Sequence, residues 1–130
     1  MLAPAGNPIK FGLKPRLKPV FNGYTAVWCN SGTAALALSI LLAKRLKPVP
    51  QSDVIIPAYA CPYLVSACAF AGFKFSLFDL DQNNTAYSLD YLKSVINEHT
   101  IAIIAINFLG IQERLQELKN LTKSINITLM

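Results

Sequence analysis

The chain has 130 residues, of which 53% are hydrophobic and 15% are charged, and its mean hydropathy is +0.39. Such a chain is too apolar to be disordered and long enough to form one domain with a core. It is also unusually apolar for a free-standing domain, so its composition favours either a membrane protein or the buried part of something larger. The net charge of +5 is by itself a weak sign of an anionic partner.

The first 22 residues predict an extended basic arm. Lys10, Lys14, Arg16 and Lys18 lie among prolines, which fix φ and provide no amide donor for a helix. Such an arm could touch nucleic acid or an anionic membrane, or it could be a solvated tail. Because bare charge carries little information, we do not expect nucleic acid to be a partner.

The cysteine pattern predicts a reducing, cytoplasmic environment. Cys29, Cys61 and Cys68 are odd in number, show no paired CxxC spacing and follow no secretory signal, which argues against a disulfide framework. The single His99 does not complete a zinc site with them at any recognised spacing. We therefore expect no metal.

The uncharged segment from Val54 to Phe73 is long enough to span a bilayer. Pro57 and Pro62 fall inside it, and Pro57 would break the first turns of a spanning helix. The segment is better interpreted as a short buried strand followed by a helix that begins at Pro62. A membrane-associated protein built on this segment remains an alternative.

Short apolar strands alternate with helices along the rest of the chain. Uncharged, β-branched strands between helices predict a three-layer α/β fold whose sheet is mostly parallel and covered on both faces. The predicted elements are a buried strand at 25–29, helix 33–44, strand 54–56, helix 62–71, strand 73–78, helix 89–97, strand 100–106, helix 112–124 and a strand that begins at 127.

The sequence ends at Met130, just after a strand has begun at Ile127. A strand with nothing to cover or pair it would leave an open edge that attracts other chains. We therefore expect either a truncated chain or one that needs a partner.

The best candidate site is the turn formed by Ser31, Gly32 and Thr33. Ligands of open α/β sheets bind beyond the carboxyl ends of the strands, and this turn follows a predicted strand. Gly32 permits close backbone approach, and the free amides of Thr33, Ala34 and Ala35 open the next helix and would face an anion. The helix dipole would favour a phosphate there by about 0.3–2 kcal/mol. Alternatively, Asn30 and Ser31 merely cap the helix.

Other candidate residues follow the later strands. Tyr59 and Tyr63 flank Cys61 after the second strand, where an aromatic side chain could stack on a flat ligand or simply pack in the core. Cys61 lies near a helix start, where a thiol can be reactive, although buried inert cysteines are common. Asn107 follows an apolar strand, so its amide should have a specific partner at the rim.

Four segments, SGTAAL, DVIIPAYAC, AGFKFSLFDLD and TIAIIAINFLG, occur in this order. Together they resemble the DegT-type (DegT/DnrJ/EryC/StrS) sugar aminotransferases, which depend on pyridoxal 5'-phosphate (PLP). The resemblance covers residues 24–130. It implies that residues 23–130 are the N-terminal part of the large domain of a fold-type-I PLP-dependent transferase, with 1–22 as a separate arm.

The resemblance also implies roles for individual residues. Gly32 and Thr33, beside Ser31, would contact the PLP phosphate. Cys61 stands where the family often places an aromatic residue that stacks on the cofactor ring, so Tyr59 or Tyr63 could take that role. Asn107 stands where the family has a histidine after a valine.

By the same resemblance, the parent enzyme transfers an amino group, commonly from glutamate, to a keto-sugar nucleotide for surface polysaccharide or antibiotic synthesis. The family's aspartate that pairs with the pyridinium nitrogen, and its lysine that binds the cofactor covalently, would lie beyond Met130. We therefore expect this chain to be inactive alone, and its expected protein partners are a second copy, as a homodimer, or a missing C-terminal partner chain. The alternative from another class is a non-catalytic α/β module that binds a phosphorylated ligand.

Overall fold

The computed structural model describes residues 27–83 and 86–130, so the predicted basic arm at 1–22 lies outside the described part of the chain. Helices and strands alternate along this part, as the apolar pattern predicts. The elements are α1 (Gly32–Leu46), β1 (Asp53–Pro57), α2 (Tyr63–Ala71), β2 (Lys74–Phe78), α3 (Leu89–Val95), β3 (Thr100–Ile103), a 3₁₀ turn (Phe108–Gly110), α4 (Leu115–Ser124) and β4 (Thr128–Leu129).

The four strands form one sheet in the order β2-β1-β3-β4, and all three pairings are parallel. The predicted parallel α/β fold is therefore confirmed. The chain leaves β1 towards β2 on one side and later returns to place β3 on the other side. This reversal creates a switch point between the carboxyl ends of β1 and β3, which is where open α/β sheets usually bind ligands.

Two apolar clusters cover the two faces of the sheet and give three layers. On one face α1 and α2 bury residues such as Ile40 and Cys68 against Val54 and Ile56 of β1. On the other face α3 and α4 pack around Ile55, because successive side chains of a strand point to opposite faces. The sheet is thus a middle layer, as the uncharged strands predict.

The helix ends follow their local sequence. Ala and Leu dominate α1, and Ser31 caps its start. Gly72 ends α2 with a φ of 78°, a left-handed conformation that glycine adopts without strain. Local propensity therefore accounts for where these two helices begin and end.

The strand predicted for 25–29 is wrong in its described part. Residues 27–29 form no strand, and Val27 and Trp28 are each 69% exposed. A strand needs a neighbour to satisfy its amides and carbonyls, and these residues pair with none of the four described strands. Their apolar pattern is typical of a strand, but they do not pair with the described sheet.

The other boundaries shift near Asn107. The strand predicted for 100–106 ends at Ile103, although the amides of Ile104 and Ala105 still donate to the carbonyls of Ile55 and Met130. The 3₁₀ turn after Asn107 includes Leu109 with a φ of 50°. This turn delays the next helix, which begins at Leu115 rather than at 112.

The long uncharged segment forms β1 and the nine-residue α2. In the described residues, no helix has the length and apolar character needed to cross a membrane.

Candidate functional site

The start of α1 keeps two backbone amides free among the described residues. Ser31 has extended backbone, its Oγ accepts from the Ala34 amide at 3.1 Å, and its carbonyl accepts from the Ala35 amide at 3.0 Å. The prediction that the amides of Ala34 and Ala35 would be free is therefore wrong, because the first is bonded to the cap and the second makes the first helical hydrogen bond. The Thr33 amide stays free, as predicted, and so does the Gly32 amide.

The α1 start has the properties of an anion site. Apart from its chain neighbours and its own helix, a Cβ placed on Gly32 would meet no atom of the described residues within 4 Å, so the backbone faces open space there. The first turn carries no acidic residue, and the helix dipole places partial positive charge there. A cleft of about 330 Å³ opens beside it, lined by Asn30, Ser31, Thr33, Ala34, Ser66 and Phe70. These features fit a phosphate group.

The orientation of α1 places this start on the side of the sheet where ligands usually bind. At the other end of the helix, the Nζ of Lys47 donates to the carbonyl of Thr100, the first residue of β3, at 2.9 Å. Fifteen helical residues rise about 22 Å, which exceeds the roughly 16 Å of a five-residue strand. Since α1 ends at the amino ends of the strands, its start lies towards their carboxyl ends.

A second group of predicted residues meets at the switch point between β1 and β3. The ring of Tyr59, just after β1, contacts the ring of Phe108 edge-on, with centroids 4.6 Å apart and planes at 63°. Tyr59 remains 60% exposed. Asn107 immediately precedes Phe108, so the structure brings Tyr59 and Asn107 to the same part of the rim.

Asn107 has the partner that its sequence environment predicts. Its Oδ1 accepts from the Glu113 amide at 3.1 Å. Its Nδ2 makes no hydrogen bond within the described part of the chain, so the two amide protons are available. The residue lines a cleft of about 350 Å³ with Ala105, Leu115, Lys119, Leu129 and Met130.

Cys61 stands apart from both groups. Its side chain is exposed in the turn before α2, and its carbonyl accepts from the Leu64 amide at 3.0 Å. Tyr63, in the first turn of α2, is 66% exposed. Cys61 lines neither the cleft at the α1 start nor the cleft beside Asn107. The structure thus joins Ser31, Gly32 and Thr33 in one place and Tyr59 with Asn107 in another.

A buried polar cluster was missed by sequence reasoning. Glu113 is only 5% exposed, and its carboxylate accepts from the amides of Tyr87 at 3.1 Å and Arg114 at 2.8 Å. The Nη2 of Arg114 donates to the Tyr87 carbonyl, and the Tyr87 hydroxyl donates to the Ile104 carbonyl at 2.6 Å. Tyr87 is 26 residues from Glu113, and no local pattern indicates such a contact.

This environment changes the acidity of Tyr87. Burial, and after it the negative charge of Glu113, raise the pKa of the Tyr87 phenol well above its ordinary value. The phenol therefore stays protonated and serves as a hydrogen-bond donor.

A third cleft, of about 290 Å³, follows β2 and contains Asp79 and Asp81. Both carboxylates accept hydrogen bonds from nearby backbone: Asp79 from the Leu80 amide and Asp81 from the Asn83 amide, each at 2.8 Å. Within residues 27–83 and 86–130, no group of three or more His, Cys, Asp or Glu is placed to hold a metal ion.

Solved structures have a fold similar to that of this chain. A protein of Streptococcus pneumoniae described as a sugar aminotransferase, in its PLP form, is 27% identical with a TM-score of 0.63, and the match covers 76% of this chain and 25% of that one. The sugar aminotransferase CalS13 of Micromonospora echinospora is 25% identical with a TM-score of 0.61, covering 72% and 25%.

A curated relative gives a similar result. The GDP-4-keto-6-deoxy-D-mannose 3-dehydratase of Yersinia pseudotuberculosis is 28% identical over 113 residues, which are 85% of this chain and 29% of the relative. The chain thus spans between a quarter and a third of the length of these relatives. The profile of the DegT/DnrJ/EryC1/StrS aminotransferase family matches residues 17–130. A match over nearly the whole chain, supported by solved sugar aminotransferases of similar fold, shows that this chain belongs to that aminotransferase family.

Proposed function

We propose that this chain forms the phosphate-holding part of a PLP-dependent sugar aminotransferase. The family, and neighbours solved in PLP and pyridoxamine 5'-phosphate (PMP) forms, indicate PLP as the cofactor. The observation that carries the proposal is the α1 start. It offers two amides that have no partner among the described residues, open space at Gly32 and no acidic residue in the first turn.

In this proposal the phosphate lies against the backbone of α1. The amides of Gly32 and Thr33 donate to its oxygens, and the helix dipole adds to the attraction. The Ser31 Oγ already accepts from Ala34, so its own hydroxyl proton can be donated to the ligand, as can that of Thr33. When bound, PLP supplies the electron sink for amino-group transfer.

The ring of the cofactor would lie over the switch point. Tyr59 offers an exposed aromatic face there, and Asn107 offers the free protons of its Nδ2. Cys61 holds the position that the family resemblance gives to a stacking residue but has no ring, whereas Tyr59 contacts Phe108 beside Asn107, which favours Tyr59 for that role.

The substrate we propose is a keto-sugar nucleotide, with an amino acid as the amino donor. The supporting observations are the sugar aminotransferase neighbours and the Yersinia relative, which is named for a GDP-linked keto-deoxy sugar. That relative favours a sugar-nucleotide dehydratase as a second candidate for the whole protein. The phosphate-holding role of α1 would be common to both. The three free cysteines support our placement of the protein in a reducing cytoplasm.

We further propose that these 130 residues do not bind PLP covalently by themselves. None of the described lysines lines the cleft at the α1 start. Lys44 and Lys47 make hydrogen bonds at the amino ends of the strands, away from this cleft, and Lys119 lines the cleft beside Asn107. Treatment with PLP and borohydride, followed by peptide mass spectrometry, should give only scattered, substoichiometric lysine adducts. A stoichiometric adduct on one residue, for example Lys119, would contradict this.

Thermal unfolding with three ligands tests the cofactor role. PMP carries the phosphate and the ring but no aldehyde, so it does not react with lysines. We expect PMP to raise the melting temperature more than pyridoxamine or inorganic phosphate does at equal concentration, because a ligand that binds the folded state stabilises it. If inorganic phosphate is as effective as PMP, the chain is a phosphate-binding module and the proposal fails.

A further inference from the structure

Three hydrogen bonds link Ile104 and Asn107, two residues just after β3, through Tyr87 and Glu113. The Tyr87 hydroxyl donates to Ile104, the Tyr87 amide donates to the Glu113 carboxylate, and the Glu113 amide donates to Asn107. Ile104 and Asn107 are only three residues apart, so these bonds close a ring around the end of the strand. Every member except Asn107 is buried.

The Glu113 carboxylate is the link that fixes this ring. One of its oxygens binds the Tyr87 amide and the other binds the Arg114 amide, which also fixes the residue just before α4. Arg114 adds a bond from its Nη2 to the Tyr87 carbonyl. Tyr87 is consequently held at its amide, its carbonyl and its hydroxyl, and the backbone of Glu113 is held against it.

Asn107 depends on that fixed backbone. Its Oδ1 is bound to the Glu113 amide, which prevents the side-chain amide from turning over and leaves Nδ2 as the outward end. We infer that Glu113 is a positioning residue, which holds Asn107 so that its Nδ2 donates to a polar group on the ring of the bound cofactor. This inference rests on the proposed function for the ligand, and on the contacts around Tyr87 for the positioning.

The test is nuclear magnetic resonance of ¹⁵N-labelled protein, with the Asn107 side-chain signal assigned through Asn107→Asp. Glu113→Gln keeps the shape of the side chain but replaces one acceptor oxygen with a donor, so one of its two amide contacts is lost. Without ligand, we expect this variant to lower the order parameter of the Asn107 side-chain nitrogen. With PMP, we expect affinity to fall by about two- to tenfold, as for one lost hydrogen bond, while the Thr33 amide still responds.

Ser52→Ala is the matched control. Ser52 is also 5% exposed, and its hydroxyl donates to the Val49 carbonyl and accepts from the Nζ of Lys44. It lies just before β1, however, at the amino ends of the strands and away from Asn107. It should lower stability without changing the order of Asn107. An Asn107 side chain that is equally ordered in Glu113→Gln overturns the inference, whatever PMP does. A Thr33 amide that does not respond to PMP in the unchanged protein contradicts the proposed function instead.

Discussion

At the scale of single residues, burial decides what Tyr87 and Glu113 can do. Tyr87 is 1% exposed, and its hydroxyl donates a hydrogen bond to the carbonyl of Ile104. Without that bond the buried carbonyl would have no partner among the described residues. Glu113 places a carboxylate close enough to oppose ionisation of the same phenol. We expect this pair to make the stability of the fold sensitive to alkaline pH.

Tyr87 should make the fold lose stability at high pH. The folded pKa is raised above the unfolded value of about 10, so the stabilisation is complete below pH 10 and is lost above it, where the unfolded chain ionises. The slope should approach about 1.4 kcal/mol per pH unit from this tyrosine. Urea unfolding between pH 8 and 11 measures it.

Tyr87→Phe separates this effect from other titrations. The variant should be less stable at pH 8 by about 1–3 kcal/mol, because the Ile104 carbonyl loses its partner. Above pH 10 its stability should fall less steeply than that of the unchanged protein. Tyr63→Phe, at an exposed residue, should keep the original slope. An equally steep fall in Tyr87→Phe would show that Tyr87 is not the source.

At the scale of elements, the start of α1 combines an ordinary helix cap with an open backbone. Gly32 is the first helical residue, and its backbone is not in the left-handed region. Nothing in the folded chain therefore requires glycine there. A requirement for close approach by a ligand would explain the residue, and it would show up only when a ligand is present.

Gly32→Ala should stabilise the free chain and weaken ligand binding. Alanine restricts the unfolded chain at a position where its Cβ meets no atom, which adds about 0.4–1 kcal/mol to stability. The same Cβ would occupy the space that the phosphate needs, so PMP should bind less tightly. Chemical unfolding and a PMP titration measure the two effects.

Gly72→Ala is the matched control, because Gly72 has a φ of 78° at the end of α2. That change should destabilise the chain by more than about 0.4–1 kcal/mol, because the native backbone suits alanine poorly. It should leave PMP affinity unchanged. Tighter or equal PMP binding by Gly32→Ala would show that the ligand does not approach Gly32.

The same scale shows what the sequence could predict. Helix caps, prolines and apolar strands are local signals, so α1, α2, β1, β2 and the parallel sheet followed from the sequence. The contact between Glu113 and Tyr87 joins residues 26 positions apart and has no local signal. Residues 27–29 have an apolar pattern but no partner strand in the described sheet, so propensity alone misplaced them. The amides of Ala34 and Ala35 were misjudged because a cap and a free anion site share the same sequence pattern.

At the scale of the whole molecule, the outward face of α1 is unusually apolar. Leu38, Leu41 and Leu42 are 46%, 45% and 57% exposed, whereas Ile40 on the inward face is fully buried. A helix that is apolar on all sides is normally buried. This surface is what the expectation of a second copy or a C-terminal partner chain predicts, because either one would cover it.

Replacing two of these leucines should reduce self-association at little cost to the fold. The double variant Leu38→Glu and Leu42→Lys places opposite charges four residues apart in the favourable order. Sedimentation velocity should show less self-association, with a nearly unchanged melting temperature. Ile40→Ala, a control in the core, should cost about 2–5 kcal/mol. A comparable loss in the double variant would mean that this face is packed within a single chain.

Calorimetric titration of Gly32→Pro with PMP and with pyridoxamine decides whether α1 holds the phosphate. Proline suits the first helical position and follows the extended backbone of Ser31 without strain, so the fold is kept. The change adds a Cβ, as Gly32→Ala does, and also removes the amide proton, so the loss of affinity beyond that of Gly32→Ala reports the amide. We expect PMP affinity to fall about 10- to 100-fold, as for the loss of one charge-assisted hydrogen bond, and pyridoxamine binding to stay the same. Equal binding of PMP by both proteins would contradict a phosphate site at the start of α1.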